Sequence, residues 1–340
     1  MKNVKRYLLI SIAIITLCNC SSNDDETEVQ QNDPDIIGNI NYNTVLTFAG
    51  ENGTAGHVNN IGGLAQFGNP FGLNFDNDNN LFVVDTDNEA IRKISENREV
   101  TTVFSDFPGF SPNIRDIAVD SQGNLFVVSA LHVIYKIDVE GEITSFAGNG
   151  IAGLASGAGL DAQFNWPSGL CIDVNDNLYI ADTNNNAVRK VTPEGLVSTV
   201  AIDVVGLKEI RDIVLGPDNN LYAIDTDVDV IHKITLEGNV STFAVAFRPD
   251  GANPAIKNFH NCHSIDVDNA GYLFVTDAAT GNIMKIDPEG VVSKLTGNGF
   301  GYNDGGLEEA QFIQPGAITV SDDGSLYISD TAGNTIRKIE

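Results

Sequence analysis

Three basic residues of this chain stand in short segments able to do chemistry. The tetrapeptide IRDI occurs twice, at 114–117 and 210–213, setting Arg115 beside Asp116 and Arg211 beside Asp212. A guanidinium is a planar fork that grips a carboxylate or another anion through two parallel hydrogen bonds. The arginines therefore read either as an anion site or as two local ion pairs with the aspartates that follow them. His263, in NCHSIDVD at 261–268, would add attraction for an anion only while its imidazole is protonated. Other segments suggest chemistry and fail on context. GNGIAG at 148–153 has the glycine spacing of a dinucleotide loop, but LASGAGLDAQFNWP follows it and opens no helix to face a pyrophosphate. The acidic runs DNDNN (76–80), DVNDN (173–177) and SDDGS (321–325) lack the glycine and closing glutamate of an EF-hand loop and read as hairpin turns.

The elements that position these residues are repeats. One phrase recurs six times: LFVVDTDNEAIRKI from Leu81, LFVVSALHVIYKI from Leu125, LYIADTNNNAVRKV from Leu178, LYAIDTDVDVIHKI from Leu221, LFVTDAATGNIMKI from Leu273 and LYISDTAGNTIRKI from Leu326. Their spacing is that of a propeller blade. Within each unit four β-rich runs are separated by turn residues, and no stretch keeps a helical apolar period. The strands are near-continuously apolar, as expected when blades stacked around an axis bury both faces of their inner strands. The sixth unit stops after its third strand, TIRKIE, while TVLTFAG at 44–50 matches the fourth strand of other units. The expectation is an all-β, six-bladed propeller with an N-terminal strand closing the last blade, which leaves no open sheet edge at the seam. Aligned on the inner strand, one position holds Phe71, Arg115, Ser168, Arg211, His263 and Gly316. It should rim the mouth of the central channel, making Arg115, Arg211, His263, Phe71 and Ser168 the candidate ligand-binding residues. Five aspartates after the second strand, Asp85, Asp182, Asp225, Asp277 and Asp330, read as acceptors for loop amides; blade two has Ser129 there.

The segment PSGLCIDVNDNLYIADTNNNAVRKV at 167–191, and more loosely 315–339, resembles the NHL repeat, and the resemblance extends over about 43–340. The glycine-rich FAGNGIAGLASGAGLDAQFNWPSGL at 146–170 is similar to bacterial members. Blades two and four depart most, lacking the proline before the inner strand and the long glycine loop. The resemblance implies a six-bladed propeller and no single chemistry, since such propellers include protein-binding and RNA-binding modules and a few metal-dependent enzymes. NCHSIDVD also resembles the segment of the peptidylglycine amidating lyase propeller that supplies a zinc-binding histidine, which His263 matches. A catalytic zinc needs three such ligands, and His57, His132, His232 and His260 lie in other contexts. The calcium set of lactonase-type propellers is not matched either, because Asp116, Asp212 and Asp266 are too loosely placed to assign.

Residues 1–19 read as a signal peptide, with Lys2, Lys5 and Arg6 before the apolar run YLLISIAIITL. LCNCSSNDDE resembles a lipobox, which implies lipid on Cys20, with Cys18 as the other candidate, and a polar tether over 20–42 ahead of the propeller at 43–340. A plain secretory signal with two incidental cysteines is the alternative. The net charge of −27 argues against nucleic acid and against electrostatic docking on an anionic membrane. Cys171 and Cys262 alone remain in the body, so no disulfide framework is expected. These readings converge on an exported, lipid-anchored monomer at the outer membrane, periplasmic or cell-surface, binding a protein, peptide or glycan at its channel mouth. No cofactor is expected for that role. The alternative, a lyase- or lactonase-type enzyme, would bring in zinc or calcium.

Overall fold

The computed structural model describes residues 41–105, 114–202, 206–245 and 261–340. The signal segment, most of the tether, Cys18, Cys20 and His260 lie outside the described residues. No helix among the described residues is long and apolar enough to cross a membrane.

Six antiparallel sheets form the blades of a propeller. Their inner strands are Pro70–Phe75, Ile114–Val119, Pro167–Ile172, Ile210–Leu215, Cys262–Val267 and Pro315–Val320. The last blade takes its outer strand, Thr44–Ala49, from the start of the propeller; it pairs with Thr335–Ile339 in the register Val45 to Ile339 and Thr47 to Arg337. Two further backbone bonds, from the Asn43 and Thr44 amides to the Glu340 carbonyl, complete the seam. The core lies between blades. Each of six apolar clusters draws on two neighbours, as when Phe82, Val84 and Ile91 of blade one pack on Ile117, Val127 and Tyr135 of blade two. Burial on both faces is why the second strands read as unbroken apolar runs.

Buried charge organises one face of the disc. In blades one, three and six the aspartate ending the second strand meets an arginine of the third: Asp85 and Arg92 at 2.6 Å, Asp182 and Arg189 at 3.1 Å, Asp330 and Arg337 at 3.5 Å, with all six side chains fully buried. Each carboxylate also accepts a loop amide, from Gly68, Asn165 and Gln314 respectively. Each arginine donates twice into the preceding glycine loop: Arg92 to the carbonyls of Gln66 and Val58, Arg189 to those of Gln163 and Ala155, Arg337 to those of Gln311 and Asn303. Each guanidinium also lies over a buried ring, Phe67, Phe164 or Phe312, at 5.0–5.4 Å. Burial raises these carboxyls above the ordinary value, while loop amides, asparagines and the arginines pull them down. The aspartates thus do bond loop amides as expected, and the third-strand arginine is the partner that makes their burial tolerable. The glycine loops also need Gly50 and Gly148. Both have positive φ, and a Cβ there would lie about 2.5 Å from a backbone oxygen of the turn between the second and third strands of the same blade, that of Asn334 or His132.

Deleting 43–50 should expose Thr335–Ile339 as an open edge. The expected outcome is a lower melting temperature and self-association on size-exclusion chromatography; a monomer melting like the parent would refute closure by this strand. Changing Arg189 to Met should strand Asp182 in the core and cost on the order of 3–5 kcal/mol. Denaturant unfolding measures this, and an unchanged midpoint would show the pair to be dispensable.

Candidate functional site

The channel mouth is built from six backbone irregularities at one structural position. Each inner strand pairs with the second strand in a register that shifts just after its first residue, for instance from Ile114–Ser129 to Asp116–Val128 and from Ile210–Asp225 to Asp212–Ile224. The unpaired residue in those bulges is Arg115 and Arg211; Ser168 occupies the same place in blade three, and Phe71, His263 and Gly316 fall within the shifts of blades one, five and six. A bulge re-aims the side chain it carries, and here it turns that side chain toward the axis.

The structure brings these side chains together. The rings of Phe71 and His263 meet at 5.7 Å, tilted by 41°, although blade six lies between them; Gly316 leaves room for this, since a Cβ on it would crowd Thr331 and Ser329 and come within 3.3 Å of Phe71. Burial, with Arg211 and then Arg115 close by, pushes His263 down to about 4, so its imidazole is neutral at pH 7. Its Nδ1 is buried without a hydrogen-bond partner. Burial and the nearby Arg211 also lower Arg115. Arg115 makes no ion pair among the described residues; its guanidinium lies 5.1 Å from the ring centroid of Trp166. Arg211 contacts Glu209 at 3.1 Å in a half-exposed pair, of the kind worth little in water. Neither arginine pairs with the aspartate that follows it, but Arg211 does meet a neighbouring carboxylate, that of Glu209. Ser168 reaches the rim with its hydroxyl already engaged by Thr183 Oγ1 and the Arg211 carbonyl, tying blade three to blade four.

Asp116 and Asp212 turn the other way, below the rim. Asp116 accepts the Leu170 amide of the next blade at 3.0 Å, Asp212 accepts that of Ile265 at 2.9 Å, and Asp266 accepts that of Val320 at 2.8 Å. The inner strands of adjacent blades lie close together but share no ladder, so these carboxylates staple one blade to the next. They border a cavity of about 220 Å³ that also meets Cys171. Burial is the main cause of raised values throughout: Asp212 stands at about 7, Asp266 at about 6, and Asp116, with Asp212 beside it, well above the carboxylate range. Cys171 and Cys262 are both free thiols.

No group of three His, Cys, Asp or Glu among the described residues is arranged to hold a metal ion. His57 contacts Thr102, His132 accepts the Trp166 amide, and His232 bonds Asp225 and the Gly206 carbonyl, so none joins His263. The acidic runs are turns: Asp173 accepts the amides of Asn175 and Asn177, and Asp76 those of Asp78 and Asn80. Sequence reasoning missed Trp166 and the staples. The signal for the first was a sole tryptophan directly before a blade's proline; for the second, an aspartate after each rim arginine.

The raised carboxyls set a pH dependence. Their folded values lie above the unfolded value of about 3.9, so the folded state holds protons more tightly and stability falls as pH rises from about 4 to about 7. Asp218, held at about 2 chiefly by Lys233 and Asn220 against its own burial, acts with the opposite sign and below that window. His263, held at about 4, also acts with the opposite sign, between about 4 and 6.5, so melting temperature should drop chiefly between pH 6.5 and 8, and drop less in an Asp212→Asn variant, which keeps an acceptor for Ile265. Equal slopes in parent and variant would contradict the assignment.

The NHL repeat family matches residues 164–191, the third blade. NHL repeat-containing protein 2 of Bos taurus is 30% identical over 200 residues, 51% of this chain and 27% of that protein. SUPPRESSOR OF QUENCHING 1, a chloroplastic protein of Arabidopsis thaliana, is 24% identical over 81% of this chain and 25% of its own length. The chain thus spans about a quarter of these relatives, 27% and 25%. Among solved structures, an auxiliary nutrient binding protein from Bacteroides thetaiotaomicron superposes with a TM-score of 0.69 at 19% identity, over 88% of this chain and 76% of that one. A streptogramin B lyase does so with 0.59 at 17% identity, over 88% of this chain and 98% of that one. Identities this low show a common fold alone. Together with the closed ring of six blades, these matches show a six-bladed β-propeller whose third blade carries an NHL repeat.

Proposed function

We propose that this propeller is a binding module, carried on a lipid at Cys20 on the exported side of the outer membrane, that takes an anionic group of a peptide, glycan or protein at its channel mouth. The observation that carries it is the convergence of Arg115 and Arg211, half-buried and mutually repelling, with only Glu209 as a carboxylate partner, in a chain of net charge −27. An anion seated between them relieves that repulsion and satisfies donors that the described residues leave idle. The likeness to nutrient binding propellers supports the reading at the level of fold. His263 enters as a neutral imidazole. A bound anion raises its proton affinity, so ligand affinity should strengthen as pH falls from neutral toward 4.

A metal-dependent lyase or lactonase is the second reading, favoured by the partnerless His263 Nδ1 at the mouth. Metal content of the purified protein, with turnover of lactones and hydroxyglycine peptides, decides for it if both are positive.

The binding reading is tested with acidic peptides and acidic oligosaccharides by calorimetry. An Arg115→Gln, Arg211→Gln double variant should lose on the order of 2–5 kcal/mol of affinity, as when a charged partner is removed from a desolvated site, with little change in melting temperature. A variant that melts lower and binds as the parent does would make the arginines structural and end the proposal.

A further inference from the structure

Trp166 is out of place by every local rule. Its φ is +57°, in the left-handed region that bulky side chains rarely occupy, and it is 39% exposed, so core packing does not hold it there. The backbone takes that conformation at two of the three residues that precede an inner-strand proline, Gln314 of blade six having no positive φ. Asn69, at the same place before the proline of blade one, has φ +54°, and its amide donates to Asn334 Oδ1 at 2.9 Å. The Trp166 amide donates likewise to His132 Nδ1 at 2.9 Å. Blade one fills the position with asparagine, which tolerates left-handed backbone, whereas blade three carries the sole tryptophan of the chain. Strain held at an exposed position points to a role in recognition, and the indole lies against Arg115 at 5.1 Å.

We propose that Trp166 is the stacking residue of the mouth, and that the ligand carries its anionic group beside a six-membered ring with an apolar face: the acid meets Arg115 and Arg211 while that face lies on the indole. This rests on the anion-binding reading above. The shared chemistry is a carboxylate on a six-membered ring, whether aromatic or sugar. An exposed aromatic face suits either, since stacking buries apolar surface without demanding one hydrogen-bond pattern.

The sole tryptophan is the reporter. Titrating the full chain with phenylacetate and with glucuronate should change its fluorescence saturably for at least one; which one responds tells an aromatic acid from a sugar acid. Acetate, phenylacetamide and glucose should bind at least tenfold more weakly than the responding acid. By calorimetry, Trp166→Asn should lose at least tenfold in affinity for that acid yet melt no lower than the parent, because asparagine suits the backbone; Trp166→Phe should retain most of the affinity. A Trp166→Asn protein that melts lower and binds within twofold of the parent overturns the inference, as does acetate binding as tightly as the ring acids, or no saturable response to either. Ring-acid affinity that survives the double arginine variant while falling in Trp166→Asn would instead defeat the anion reading and leave the stacking role standing.

Discussion

A carboxylate or guanidinium stripped of water is tolerated only when its bonds are remade, and the mouth face of this propeller is arranged around that demand. Arg189 shows how it is met. Its terminal nitrogens bond Asp182, the carbonyls of Gln163 and Ala155 and the Ser156 hydroxyl, and its flat face lies on Phe164. One side chain thereby fixes the turn after the second strand, the long glycine loop and the entry into the inner strand. Arg92 and Arg337 repeat the arrangement in blades one and six. The loops have only short stretches of pairing of their own, such as Gly157–Ala158 on the outer strand of blade three and the bridge of Val58 to Gln66, and these buried ions tie them to the blade.

The same rule shapes the axis. Inner strands approach one another at the centre without pairing, and the close approach is visible where a Cβ on Gly72 or Gly169 would strike Asp116 or Asp212 of the next blade. Asp116, Asp212 and Asp266 bridge the gap by accepting amides, which puts three carboxyls into one low-dielectric space. Burial, with Asp212 acting on Asp116 and Asp266 on Asp212, raises their affinity for protons. Positive charge at the rim and weakly acidic carboxyls below it are thus stacked along one channel.

Much of this was legible in the chain. Six copies of one phrase gave the blade number, and the misplaced outer strand TVLTFAG gave the closure, because a ring must hide its last edge. The rim position could be found by alignment because the bulge recurs at one place in every blade. What the residues around Arg115 and Arg211 did not disclose was which carboxylates they would meet. Sequence neighbours on a strand point to opposite faces, so Asp116 and Asp212 are carried away from the arginines beside them. The low proton affinity of His263 was also hidden, since it arises from burial beside two cations that come from other blades. Trp166 is legible only once its backbone is known, because a tryptophan before a proline is unremarkable until φ is seen to be positive.

The blades divide their labour along the same line. Blades one, three and six keep the buried Asp–Arg pair and present Phe71, Ser168 and Gly316 at the rim, none of them ionisable. Blades two, four and five have Tyr135, His232 and Met284 where the arginine would stand, and they present Arg115, Arg211 and His263. Every titratable rim residue thus comes from a blade that lacks the buried arginine. Departures from a repeat are where function is expected to sit, and here they collect on one side of the reckoning in three blades out of six. The intact blades supply the rigid frame, and Trp166, contributed by one of them, extends that frame over the guanidinium of its neighbour.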